Sequence, residues 1–195
     1  EAAHTVWLFA DLSPSMHFRS ELAPVSKEHR ALVILLALAE TLLRSGERVG
    51  YPGLMEPVSN RNGAEKLAHA LASATDLPVE LPQTRMMRGP SELVMIGDFL
   101  DAPDALFSQV MPLSERGLRA HLIEVADPAE ESFPYSGRTA FADPETGREL
   151  TLGRAESLKD AYLAEYHARR AVIADTARHA GWSFATHHTD RPASE

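Results

Sequence analysis

The sequence predicts an α/β domain of three layers, with helices packed on a mostly parallel central sheet. Three observations carry this. Short apolar runs alternate with helical patterns along the chain. The helical segment 27–44 is apolar all round at its centre, Ala31 to Ala39, as in a helix covered on more than one side. The first apolar run ends in an acidic, hydroxyl-rich loop, and sheets of this class carry ligands beyond the carboxyl ends of their strands.

The elements follow in order. Residues 5–10 are a buried strand with Val6, Trp7, Leu8 and Phe9 in sequence. Residues 12–26 form a loop with Pro14 and Pro24. Ser26 caps a helix from Lys27 to about Arg44, and Gly46 ends it. Val49 to Leu54 reads as a strand weakened by Pro52 and Gly53, and 55–62 as a polar loop. Ala64, Leu67, Ala68 and Leu71 recur at helical spacing in a helix over 63–73. Leu93 to Ile96 is a strand, Ala105 to Val110 a short helix and His121 to Val125 a strand. The stretch 127–153 is rich in Pro, Gly, Asp and Glu and reads as a hairpin excursion, with strand pieces at 139–141 and 149–152. The longest helix spans about 155–179, and Trp182 to Thr186 is the last strand. No internal repeat or linker divides the chain, so residues 1–195 read as one domain.

Composition narrows the function. The 195 residues are 44% hydrophobic and 24% charged, which is globular composition. A net charge of -9 argues against nonspecific binding to nucleic acid or anionic lipid. With no cysteine, disulfides, thiolate zinc sites and cysteine nucleophiles are out. The longest apolar run has nine residues, against the ~20 that span a bilayer. No signal peptide opens the sequence. The expected location is the cytoplasm. Both ends read as cut from something longer, and an anchor could lie in the missing part.

Asp11, Ser13 and Ser15 place three hard oxygens on one loop at the end of the first strand, and Asp98 ends the strand 93–96. Magnesium prefers such ligands in octahedral geometry. Loop hydrogen bonding is the competing reading of the same residues. Asp101 reads either as a supporting carboxylate or as a helix start. His187 and His188 are adjacent on a strand and so make a poor chelating pair. Arg169, Arg170 and Arg178 read as solvated helix positions, and Asp127 to Glu131 as a charged turn or a partner surface.

Val6 to Met16 resembles the first strand and Asp-x-Ser-x-Ser motif of von Willebrand factor type A domains, which use it as a metal-ion-dependent adhesion site. The match is closer to a bacterial branch, the domain of unknown function 58 family. Trp7 to Met16, Ser26-Lys27, Gly46 to Gly50, Gly97 to Asp101, Asp127 to Pro134 and His188 to Pro192 all resemble that branch. The resemblance implies a Rossmann-like type A fold with Asp11, Ser13, Ser15 and Asp98 as ligands for Mg2+ or Mn2+. The usual second-loop Thr is missing from 56–63. Ser59 or an Asn amide could substitute, and Arg61 near the site would disfavour a cation. Members of the branch usually carry a substantial region before the first strand, and it is absent here. Their genes commonly neighbour those for MoxR-type AAA+ ATPases, which implies such an ATPase as a protein partner.

Three functions compete. The first is an interaction module in which a partner carboxylate completes a divalent-cation site. The second is a metal-free interaction domain. The third is a metal-dependent phosphohydrolase, which lacks the second Asp, a phosphate loop and a base for Ser13. The expectation is binding without catalysis.

Overall fold

The computed structural model describes residues 4–75, 87 and 91–194. A six-stranded sheet, mostly parallel, forms the centre, and helices flank it. β1 (Thr5–Ala10), β2 (Arg48–Tyr51), β3 (Met55–Val58), β4 (Ser91–Gly97), β5 (Leu118–Ala126) and β8 (Ser183–His188) lie in the order β3-β2-β1-β4-β5-β8. All pairs are parallel except β2 with β3. The chain builds outward from β1 in one direction, then outward from β4 in the other. Strand order therefore reverses between β1 and β4, and a crevice opens where their carboxyl ends diverge.

β1 and β4 are buried along almost their whole length, as expected of central parallel strands covered on both faces. Leu8, Leu93 and Leu122 are fully buried, each contributing about 1.5–3 kcal/mol of transfer free energy. α1 (Lys27–Arg44) packs across β1, β2, β4 and β5 and against α2 (Gly63–Ser73). α3 (Pro103–Ser114) packs on β5, and α5 (Lys159–His179) on β8. α1 contacts α2 and α3 contacts α5, and the right-handed rule for parallel crossovers puts helices that follow crossovers in opposite directions on opposite faces.

The ends of α1 fall where the sequence puts them. The Ser26 hydroxyl accepts the His29 N–H at 3.2 Å, and Gly46 turns the chain with φ +90. Its middle differs from expectation. Ala31, Ile34, Leu35 and Ala39 are buried, but Val33 and Ala37 are exposed, so one side of the apolar helix faces outward. The segment read as one weak strand and a polar loop is a hairpin. Pro52 and Gly53 make its turn, and β3 is a short edge strand that tolerates Pro57. A short helix, α4 (Pro128–Ser132), follows β5, and the hairpin β6 (Thr139–Ala142) and β7 (Glu149–Leu152) stands apart from the main sheet. No helix among the described residues is long and apolar enough to cross a membrane.

Candidate functional site

The crevice between β1 and β4 holds the site. The Asp11 N–H donates to the Ile96 carbonyl at 2.8 Å, so the first loop leaves the sheet beside β4. This approach requires Gly97, because a Cβ there would meet the Asp11 Cβ at 2.9 Å. Asp11 Oδ1 accepts the Ser13 N–H at 2.8 Å, a turn closed by its own side chain. The chain then tightens into a single turn over Pro14–His17. This brings the Ser13 and Ser15 hydroxyls within 3.0 Å of each other. Below them the Tyr51 hydroxyl donates to the Ala10 carbonyl at 3.1 Å, and burial pushes its pKa up to about 12.

Asp98 is 4% exposed and lies opposite this loop. Its Oδ1 accepts the Leu100 N–H at 3.3 Å. Its Oδ2 accepts a hydrogen bond from Lys27 Nζ at 2.8 Å. Lys27 is 1% exposed and also donates to Glu130 Oε1 at 2.8 Å. A cation at the first position of a helix opposes the helix dipole, and burial penalises it further. Two carboxylates outweigh both effects. Burial works against the ammonium, but Glu130 and Asp98 raise its pKa above the ordinary 10.5. Glu130 in turn accepts the Asp127 N–H at 2.8 Å, and the fully buried Asp127 carboxylate accepts from Ala129, Ser20 N and the Ser20 hydroxyl. The acidic stretch 127–131 is thus neither a solvated turn nor a free surface. It clamps the first loop and the start of α1.

The first loop carries an uncompensated charge. Burial raises the Asp11 pKa, Ser13 hydrogen bonds offset part of this, and the carboxylates of Asp98 and Asp101 add to it. A folded pKa above 3.8 means that the folded state holds the proton more tightly than the unfolded chain does. The ionised form therefore costs stability at neutral pH. Asp11→Asn keeps an oxygen for the Ser13 N–H and removes the charge. It is expected to raise neutral-pH stability by about 0.5–2 kcal/mol, a common gain when functional strain is relieved. The gain should fade on acidification, as Asp11 protonates in the wild type. Urea unfolding at two pH values measures it, and a loss at neutral pH would refute it.

The hairpin β6–β7 forms the far wall. Glu145, on its turn, accepts the Ser15 N–H at 3.0 Å. Phe133 anchors the wall, with its ring 4.9 Å from Tyr162 of α5, 5.2 Å from Tyr135 and 5.9 Å from Phe141. Between wall and loop lies a cleft of about 810 Å³.

Asp11, Ser13, Ser15, Asp98 and Asp101 all line this cleft. Ser59 does not. β3 runs back along β2, with Tyr51 opposite Met55 and Val49 opposite Val58, so residues 59–62 lie at the amino end of the parallel strands. Arg61 is likewise distant from the site it was expected to disturb. Lys27 and Glu130 were missed as site residues, although Ser26-Lys27 and 127–134 were part of the family resemblance. His188 and Arg170 meet Glu131, His188 Nε2 at 2.9 Å. Arg170 also meets the buried Glu124, with Nε 2.6 Å away, so it is a structural cation and not a solvated one.

The chain matches the family described as "Protein of unknown function DUF58" over residues 1–172. No curated protein matches it. The fold is similar to that of an aerotolerance-related membrane protein from Bacteroides fragilis, solved with multiple mutations to serines. That match has a TM-score of 0.55 and 15% identity, over 95% of this chain and 92% of that one. It is also similar to the conserved hypothetical protein BatB from Bacteroides thetaiotaomicron, with a TM-score of 0.51 and 14% identity, over 98% and 93% of the two chains. These two likenesses concern the fold. The family match spans most of the sequence, and the chain therefore belongs to the DUF58 family of proteins of unknown function.

Proposed function

We propose that this domain is a protein-interaction module of the von Willebrand factor type A kind, whose partner docks in the cleft at the carboxyl end of the sheet. One observation carries the reading. Residues from two separate loops, Asp11, Ser13 and Ser15 with Asp98, line a single cleft at the point where strand order reverses. Binding fits the cleft better than catalysis. The two serine hydroxyls face each other, and among the described residues no histidine lines the cleft to activate either. A MoxR-type ATPase is the partner that the family resemblance nominates.

We read the cleft as working without a divalent ion. One oxygen of Asp98 already holds the Lys27 ammonium, whose charge would repel a metal. Among the described residues no three acidic or histidine side chains are grouped to hold one. In this reading Lys27 is a built-in cation, and the module works without metal. Calorimetric titration with Mg2+ or Mn2+ is expected to show no heat of binding. Micromolar binding that disappears in Asp11→Ala would restore the metal-dependent reading, which the converging Ser13 and Ser15 hydroxyls favour.

The docking test uses the cleft rim. Leu100 and Leu150 are exposed, so replacing both by Ser leaves the core intact. The immobilised domain should capture its partner from a cell extract, Leu100→Ser/Leu150→Ser should lose it, and Val172→Arg on the exposed side of α5 should keep it. Equal capture by all three proteins would refute docking in the cleft.

A further inference from the structure

We infer that the cleft takes an arginine side chain of the partner, presented between apolar neighbours. The inference rests on the proposed docking role of the cleft and names the chemistry of its occupant. Among the described residues six carboxylates line the cleft, those of Asp11, Asp98, Asp101, Glu130, Asp143 and Glu145. The one cation in the lining, among the described residues, is Lys27, and its ammonium already serves Asp98 and Glu130. Asp11, Asp101 and Glu145 have, among the described residues, no cationic partner in the lining, while Asp143 has Arg148 of its own hairpin nearby. An acidic partner segment would meet net repulsion there, and a basic one would be drawn in.

The walls select among cations. Phe133, Tyr135, Phe141 and Tyr162 all line the cleft beside these carboxylates. A guanidinium can lie flat on an aromatic face while its edge makes paired hydrogen bonds to a carboxylate. An ammonium ion makes no such paired contact, and a hydrated metal ion gains nothing from the apolar wall. The mouth adds a second demand. Phe18, Leu100, Leu150 and Leu158 are large apolar residues that are exposed and line the cleft. Exposed apolar side chains gathered around one opening mark a place where another surface is covered. The volume of about 810 Å³ suits a few side chains of an extended segment and not a folded domain.

The test is fluorescence anisotropy with labelled five-residue peptides, Leu-Leu-Arg-Leu-Leu and the same peptide with citrulline or Glu at its centre. Citrulline keeps the shape of arginine without its charge. The Arg peptide is expected to bind about tenfold tighter than the citrulline peptide, a difference of about 1.4 kcal/mol. The Glu peptide should bind weakest, and the Arg advantage should shrink as salt is raised. Asp101→Asn/Glu145→Gln should erase most of the preference, with circular dichroism confirming the fold. Equal binding of all three peptides that is lost in Leu100→Ser/Leu150→Ser would overturn the arginine inference and leave docking in the cleft standing. Preference for the Glu peptide, with or without Mg2+, would also overturn it. So would no binding of any peptide at 1 mM, in which case partner capture by the rim variants judges the docking role separately.

Discussion

Replacing Lys27 by Ala is expected to destabilise the domain by about 3–5 kcal/mol, the usual cost of removing one partner from a buried ion pair. The size follows from position. Lys27 joins Asp98, at the end of β4, to Glu130, on α4, from the first turn of α1. Without it two carboxylates are left buried and uncompensated, and the volume of the lysine stem is left empty. The pH dependence has a definite sign. The folded pKa of Lys27 lies above 10.5, so its contribution is complete below that value and is lost as pH rises through the folded value. In Lys27→Ala the orphaned carboxylates reverse the pattern on the acid side. The variant should recover stability relative to wild type as pH falls toward the carboxyl range. Lys27→Met combined with Asp98→Asn and Glu130→Gln removes the charges together and should be more stable than Lys27→Ala. Urea unfolding measures all three proteins. A loss below about 1 kcal/mol for Lys27→Ala would place the pair among weak surface bridges.

The sequence foretold the frame better than the clamp that holds it. α1 was legible at both ends because Ser26 and Gly46 are local signals, and α2 was legible from its spacing. β3 was not, because an edge strand needs few apolar residues, and Glu56 and Pro57 hide Met55 and Val58 in a polar reading. Asp11 and Asp98 were legible because each follows an apolar strand, and the fold brings the ends of neighbouring strands together. Ser59 was misplaced because its position depends on the direction of a strand that was not foreseen. Lys27 and Glu130 carry no local mark. A lysine opening a helix and a glutamate in an acidic turn both read as solvated, and their pairing spans 103 positions. Only the closed fold shows that each is the other's counter-ion. The aromatic wall is hidden for the same reason: Phe133, Tyr135, Phe141 and Tyr162 share no periodicity, and they meet only when the hairpin folds onto α5.

That wall makes Phe133→Ala the other severe substitution, with an expected cost of about 3–5 kcal/mol for a buried ring. Phe133 is 5% exposed and touches three rings, one before the hairpin, one in β6 and one on α5. Its backbone adopts φ 44, a left-handed conformation that strains any residue with a Cβ. The ring contacts offset that strain, and Ala keeps the strain without the contacts. The loss should be local before it is global, because β6 and β7 pair with each other and not with the main sheet. Amide exchange in residues 139–152 should therefore accelerate well before exchange in β1, β4 and β5. Phe133→Gly separates the two causes. It relieves the backbone strain and so should be the less damaging variant if strain outweighs the added flexibility of glycine in the unfolded chain. In either variant the hairpin no longer holds Glu145 against the Ser15 N–H, and the far wall of the cleft is released. Ligand affinity at the cleft should fall with hairpin protection, at pH and temperature where the sheet remains folded. If exchange accelerates uniformly across sheet and hairpin, the wall is part of the global folding unit, and the separate-wall account fails.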